Sequence, residues 1–366
     1  MRDKLRFAGV MVGSSLDGID LAVYDWNTVY QDEKLIGLSA QLIASNTFTL
    51  DSRHGDLIKS ARMGGNIVNA EYEREFSLYI SQLLVQNVPV PWKQLAAGLV
   101  YHGPTLMHKP GRKESQQLGK GQILANRLGI PVMCDLRRAD INAGGEGAPL
   151  MPILDKWCFS QYDATLNLGG IANISLELDG KRLGWDICGC NQLLDFAAGL
   201  LNYSYDANGE LARSGKRIPE IKSRLEDFKF LDQNPPKSLS NEEVAQYGID
   251  GISRIVAKID PRDLLATYVS HIASQVGDVV REYRLKNLLV SGGGARNVFL
   301  IESIQQLCPN LEIIVPEESL LIYKECQMLS LMALLNVLGY PNALATVTGA
   351  DRDTIGGHWY KSEAYE

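Results

Sequence analysis

"RFAGVMVGSSLDGIDLAVYDW" (residues 6–26) and "DATLNLGGIANISLELDGKRLGWDI" (residues 163–187) follow one pattern. In each, a β-rich run leads into a turn of small residues, and an alternating apolar run follows. Alternation with period two marks a strand with one buried face, and glycine beside serine, asparagine or aspartate marks the turn. Both stretches therefore read as β-hairpins whose tips present backbone N–H groups. Two such openings, far apart in one chain, fit two related lobes.

The rest of the chain supplies what such lobes need. "AEYEREFSLYISQLLVQ" (70–86) spaces Phe76, Ile80, Leu83 and Leu84 as one helical face. Residues 95–103 and 130–136 read as buried strands, and 119–129 as a helix that stops at Gly129. Asp260 before Pro261 is an N-cap with proline in the first turn, and Leu264, Leu265, Tyr268, Ile272, Val276 and Val279 mark the buried face of the helix that follows. "KNLLVSGGGARNVFLIESIQQL" (286–307) reads as strand, glycine turn and helix. Residues 202–260 are more polar and read as an insertion or cap.

The totals exclude several classes. With 366 residues the chain is long enough for two domains, and its 45% hydrophobic and 22% charged residues are those of a globular protein. A net charge of −7 argues against nucleic-acid binding, which needs a positive surface. No stretch reaches the roughly 18–20 apolar residues a membrane span needs, and the short apolar stretch at the N-terminus reads as a strand rather than a leader. The six cysteines are sparse and sit in apolar contexts, as free thiols in a reducing cytoplasm would.

Three glycine-bearing turns can cradle phosphate. In "GSSLDGID" (13–20), Gly13 and Gly18 allow a tight turn, Ser14 and Ser15 offer hydroxyls, and Asp17 is placed to hold a hydrated Mg2+. "NLGGIAN" (167–173) brings Gly169, Gly170 and Asn173 to the second hairpin tip. "SGGGARN" (291–297) brings Gly292, Gly293, Gly294 and Asn297 between a strand and a helix. "HGPTLMH" (102–108) follows a strand, with His102 and His108 too far apart for a helical zinc pair. "GWDICGCN" (184–191) places Asp186 before Cys188-Gly189-Cys190. No second cysteine or histidine pair has the spacing to complete a zinc site, so the thiols read as small apolar residues and Asp186 as the working group, a proton acceptor for phosphoryl transfer.

Taken together these stretches resemble the anhydro-N-acetylmuramic acid kinase family along almost the whole chain. "GVMVGSSLDGID" is similar to the family's first phosphate hairpin, "HGPTLMHKP" to its H-G-Q-T segment, and "DLRRADINAGGEGAPLMP" to a distinctive D-F-R string ending in A-P-L-x-P. "NLGGIANIS", "SGGGARN", "YDANGELARSGK" and "VTGA" match as well. The resemblance implies an α/β, two-lobed actin-like (ribonuclease H-like) sugar-kinase fold with its active site in the interlobe cleft. Lobe I is expected over 1–130 with 337–366, and lobe II over 131–336. It implies an ATP- and Mg2+-dependent phosphotransferase of cell-wall recycling, which opens 1,6-anhydro-N-acetylmuramic acid with water to give N-acetylmuramic acid 6-phosphate. Asp186 takes the place of the catalytic aspartate. His102, Thr105, Asn191 and Glu325 (in "YKECQ") fall at sugar-side positions. The partners implied are ATP and an amino sugar, with no nucleic acid or membrane; a homodimer is compatible, and the location is cytoplasmic. This chain departs from the family's Gly-Pro-Gly at Cys188-Gly189-Cys190, and has Pro104 for the glutamine after His102-Gly103. Two alternatives follow from those departures: a kinase of the same fold for a different amino sugar, and a relative that binds without turnover.

Overall fold

In the computed structural model, the described residues are 5–13, 16, 18–62, 69–88, 91–95, 97–252 and 255–363. They divide into two compact units, Met1–Cys158 with Ile322–Glu366, and Phe159–Leu321.

The first unit is built on a six-stranded sheet in the order β13-β7-β4-β1-β2-β3. Its strands are β1 (Leu5–Val12), β2 (Ile19–Gln31), β3 (Lys34–Phe48), β4 (Leu99–His102), β7 (Val132–Cys134) and β13 (His358–Tyr360). β5 (Thr105–Lys109) and β6 (Glu114–Gln117) form a separate ribbon. β1 and β2 pair antiparallel with Val12 opposite Ile19, which is the first expected hairpin, and β4 runs parallel beside β1. From Phe7 onward β1 is covered on both faces, so residues 7–12 are apolar rather than alternating. Ala8, Val10 and Val12 pack with Phe76, Ile80 and Leu84 of the helix Ala70–Asn87. On the other face Gly9 meets the backbone of Cys326, with no room for a Cβ. Trp26 Nε1 donates to Ser330 Oγ at 2.6 Å on the same helix, Glu318–Leu338.

The second unit has a five-stranded sheet in the order β10-β9-β8-β11-β12. The strands are β8 (Ala164–Leu168), β9 (Ile171–Leu178), β10 (Lys181–Gly189), β11 (Asn287–Ser291) and β12 (Glu312–Ile314). β8 and β9 form the second expected hairpin, and β11 runs parallel to β8. Leu166, Leu168, Ile174 and Leu176 share one core with Leu265, Tyr268, Ile272 and Val276 of the helix Pro261–Glu282. Asp260 caps that helix by accepting from Arg262 N at 2.9 Å. The polar stretch 202–260 is largely helical, with Glu210–Ser214, Pro219–Glu226 and Asn241–Gly248 all in this unit.

Two readings shift. The unit boundaries fall after Cys158 and after Leu321, where the sequence placed them after 130 and 336. The reason is pairing: β7 lies between β4 and β13, which ties residues beyond 130 to the first sheet. The second shift concerns apolar length. Glu318–Leu338 is long and apolar enough, by length and composition, to cross a membrane. Its run Cys326–Leu335 is buried, which accounts for the apolarity as that of a core helix.

Candidate active site

In the second unit three elements converge. The β8–β9 tip holds Gly169 and Gly170. Gly170 O accepts from Cys190 N at 2.8 Å and Gln192 N at 3.2 Å, and Gly169 O accepts from Asn191 N at 3.0 Å. The tip is thereby fastened to the start of the helix Asn191–Gly199. Asn191 Nδ2 donates to Leu168 O at 2.9 Å, so this side chain, expected on the sugar side, joins hairpin to helix. The glycine turn after β11 closes on the same point. Gly292 has φ +84°, and a Cβ there would lie 2.6 Å from Asn167 Oδ1; one at Gly294 would lie 2.8 Å from Leu168 Cβ and 2.9 Å from Asn191 Oδ1.

The protein itself thus demands glycine at 292 and 294. It makes no such demand at Gly170, where a Cβ would meet nothing within 4 Å, and little at Gly293, where the nearest atom is Asn191 Nδ2 at 3.5 Å. Open backbone at a hairpin tip and at a strand-to-helix turn is what a phosphate needs in order to reach N–H donors. The other two expected nucleotide residues differ. Asn297 Oδ1 accepts from Leu300 N at 3.0 Å, capping the helix Val298–Leu307. Asn173 stands opposite Asp186 in the β9–β10 ladder.

Asp186 ends the regular part of β10, just before a bulge between Asp186 and Cys188. Its N–H donates to Lys237 O at 3.0 Å. Its Oδ2 accepts from Ser238 Oγ at 3.0 Å and Leu239 N at 2.8 Å. Burial raises the carboxyl above its ordinary range, and those two hydrogen bonds pull it back by favouring the ionised form. Among the described residues Oδ1 takes no hydrogen bond, so one oxygen is fixed and the other is available as a proton acceptor. Cys188 and Cys190 are fully buried and free. Burial pushes both thiols up, Cys190 to about 12, so neither carries thiolate at neutral pH. Gly189 N donates to Tyr247 Oη at 2.7 Å, which seats the loop on the helix Asn241–Gly248.

The first unit holds the other expected residues. His102 ends β4, buried, with Nε2 3.4 Å from Arg137 Nη2. Burial, with Arg137 beside it, pushes His102 down to about 3, so the ring is neutral. Arg137 Nη1 donates to Gly147 O at 2.7 Å. Glu325 is raised by burial first and by Asp20 second, with Lys324 and Arg137 acting against the shift. His102, Arg137 and Glu325 thus belong to one electrostatic group on one unit. Thr105 opens β5, its carbonyl accepting from Arg62 Nε at 2.8 Å. Gly13 O accepts from Leu16 N at 3.3 Å in the first hairpin turn, and a Cβ at Gly18 would lie 3.5 Å from Phe48 O. Ser14, Ser15 and Asp17, the expected phosphate and Mg2+ residues of that turn, lie outside the described residues.

Sequence reasoning passed over two groups. "DLRRAD" is charged and nothing local marks any of it as core, yet Asp140 is fully buried, with Oδ2 accepting from Gly147 N and Oδ1 from Thr348 Oγ1, each at 2.7 Å. The "GGEG" and "VTGA" motifs are therefore one pinned structure around Asp140, and Arg137 rides on it. Ser238 was hidden inside the polar stretch. Only the serine in "PPKSLS" marks it, and nothing local ties that serine to Asp186.

A glycine-bearing hairpin heads each of the two mixed sheets, an arrangement suited to a phosphotransferase of the sugar-kinase kind. The chain belongs to the anhydro-N-acetylmuramic acid kinase family, whose model matches residues 5–362. It is similar to the anhydro-N-acetylmuramic acid kinase of Pseudomonas syringae pv. syringae, 32% identical over 371 residues, covering 97% of this chain and 98% of that one. The enzyme of that name from Aliivibrio fischeri is 29% identical over 369 residues, covering 95% and 96%. Among solved structures, component A of the (R)-2-hydroxyglutaryl-CoA dehydratase of Acidaminococcus fermentans aligns with TM-score 0.46 at 14% identity, covering 89% of this chain and 96% of that one.

Proposed function

We propose that this chain phosphorylates 1,6-anhydro-N-acetylmuramic acid from ATP while water opens the anhydro bridge, with Asp186 as general base. Family membership supports the reaction. The observation that carries the residue assignment is the Asp186 carboxylate, fixed at Oδ2 and open at Oδ1. Asp186 takes a proton from water as the water oxygen bonds to C1. The C1–O6 bond breaks, O6 bonds to the γ-phosphorus, and ADP leaves. The products are N-acetylmuramic acid 6-phosphate and ADP.

The nucleotide phosphates would lie against the uncrowded backbone at Gly170 and Gly293, with Gly292 and Gly294 shaping the turn. In the first unit, neutral His102, Arg137 and Glu325 would recognise the sugar. Mg2+ would offset phosphate charge as the γ-phosphoryl group moves, with Asp17 as the residue expected to hold its water shell. Use of ATP on a recovered wall sugar fits a cytoplasmic enzyme.

Asp186→Asn tests the assignment. An asparagine oxygen can take the two bonds now made to Oδ2, so the shape survives and only proton acceptance is lost. kcat is expected to fall about 10²- to 10⁴-fold with ATP binding unaltered. Label from isotopic water should appear at the C1 hydroxyl and not in the phosphate. Turnover of Asp186→Asn near the wild-type rate would place the base elsewhere. ADP release with open-ring N-acetylmuramic acid or N-acetylglucosamine, and not with the anhydro sugar, would move the substrate assignment instead.

A further inference from the structure

A carboxylate at a strand end rotates about its last torsion unless something holds it, and β10 itself makes no side-chain bond to Asp186. The hold comes from residues distant in sequence. We propose that Ser238, together with the Leu239 N–H, is the positioning element of the general base: it fixes Oδ2 and so makes Oδ1 the oxygen that accepts the proton. The inference rests on the assignment of Asp186 as base.

Two donors meet one oxygen, at 3.0 Å from Ser238 Oγ and 2.8 Å from Leu239 N, which locks the carboxylate plane. The donors are themselves anchored on both sides. Ahead of them Lys237 O accepts Asp186 N–H at 3.0 Å, and Lys237 Nζ donates to Phe230 O at 3.2 Å and Leu231 O at 2.9 Å. Behind them Ser240 caps the helix Asn241–Gly248 in a reciprocal pair with Glu243, with Ser240 N bonded to Glu243 Oε2 at 2.8 Å and Glu243 N to Ser240 Oγ at 3.2 Å. That helix carries Tyr247, which holds Gly189 in the loop after Asp186. One stretch, 237–247, therefore sets both the base and the loop that follows it.

Three of the charged groups on the elements packed here are committed elsewhere. Lys237 is turned to the Phe230 and Leu231 carbonyls, Arg182 Nε donates to Ser175 Oγ at 2.9 Å, and Glu243 belongs to the cap. What offsets burial at Asp186 is the pair of hydrogen bonds, and removing one should leave the carboxyl protonated to higher pH.

The test compares wild type, Ser238→Ala, Ser238→Thr and Asp186→Asn over about pH 5 to 9, reading kcat, KM for ATP and the acid limb of the rate profile. Ser238 is exposed, so its variants should melt like wild type. Ser238→Ala is expected to lower kcat about 3- to 30-fold, to move the acid limb up by about half to one pH unit, and to leave KM for ATP unaltered. Ser238→Thr, which keeps the hydroxyl, should restore most of both. An inactive Asp186→Asn beside a Ser238→Ala of wild-type rate and acid limb rejects the clamp and spares the base. So does an equal rate loss in alanine and threonine with the acid limb unmoved. A fully active Asp186→Asn removes the base assignment and the clamp with it.

Discussion

Gly189→Ala is the perturbation that most directly probes the loop after Asp186. A Cβ at Gly189 would lie 2.6 Å from Val244 Cγ1, 2.8 Å from Tyr247 Oη and 3.2 Å from Leu193 Cδ1. None of these can yield cheaply. Tyr247 is stacked on Phe228 with ring centroids 4.2 Å apart and planes 10° apart, and Val244 and Leu193 are fully buried. Forcing extra volume into a packed core costs about 1–3 kcal/mol. Pushing Tyr247 away also strips its hydroxyl from the Gly189 N–H, and orphaning a buried donor costs about 1–3 kcal/mol more. A total of about 2–6 kcal/mol corresponds to a fall in melting temperature of roughly 5–20 °C for a unit of this size. Thermal unfolding of three variants apportions it. Tyr247→Phe should lose the hydrogen bond alone, and adding Val244→Ala to Gly189→Ala should recover part of the loss by relieving the nearest clash. Because the loop follows Asp186 and Cys190 N holds Gly170 O, kcat should fall about tenfold or more, about 1.4 kcal/mol in the barrier. A Gly189→Ala protein that melts and turns over like wild type would refute the packing argument.

Further outcomes follow from the same geometry. Gly170→Ala should leave the melting temperature unchanged, since a Cβ there meets nothing within 4 Å, yet raise KM for ATP; unchanged kinetics would remove the hairpin tip from the phosphate site. Gly9→Ala should fail to fold stably, because its Cβ would enter the Cys326 backbone, and a soluble, native-melting variant would contradict that contact. His102 and His271 are both held near 3, burial being the first cause. Below pH 6.5 the unfolded chain therefore binds protons that the folded chain refuses, and stability falls as pH drops toward 3, by up to about 1.4 kcal/mol per pH unit for each histidine. Comparing unfolding of wild type and His271→Leu at mildly alkaline and mildly acidic pH should show a smaller acid loss in the variant; equal losses would count against it.

The two hairpins, the helix Ala70–Asn87 and the capped helix Pro261–Glu282 were legible in the sequence because period, turn residues and caps act over a few neighbouring positions. The place of Asp186 at the end of an alternating strand was legible for the same reason, and the family motifs supplied the expectations for the remaining positions. Tertiary structure decided what lies between distant segments. It moved β7 to the first unit through its pairing with β4 and β13. It made Asp140 a buried pin through Thr348, and gave Asn191 and Asn297 structural bonds. It brought Ser238 and Leu239 onto Asp186, 52 and 53 residues away. Local propensity is written in neighbours along the chain. A hydrogen bond closed over fifty residues leaves no period and no spacing behind, only a serine in a polar stretch, and its role exists once the fold has placed the two ends together.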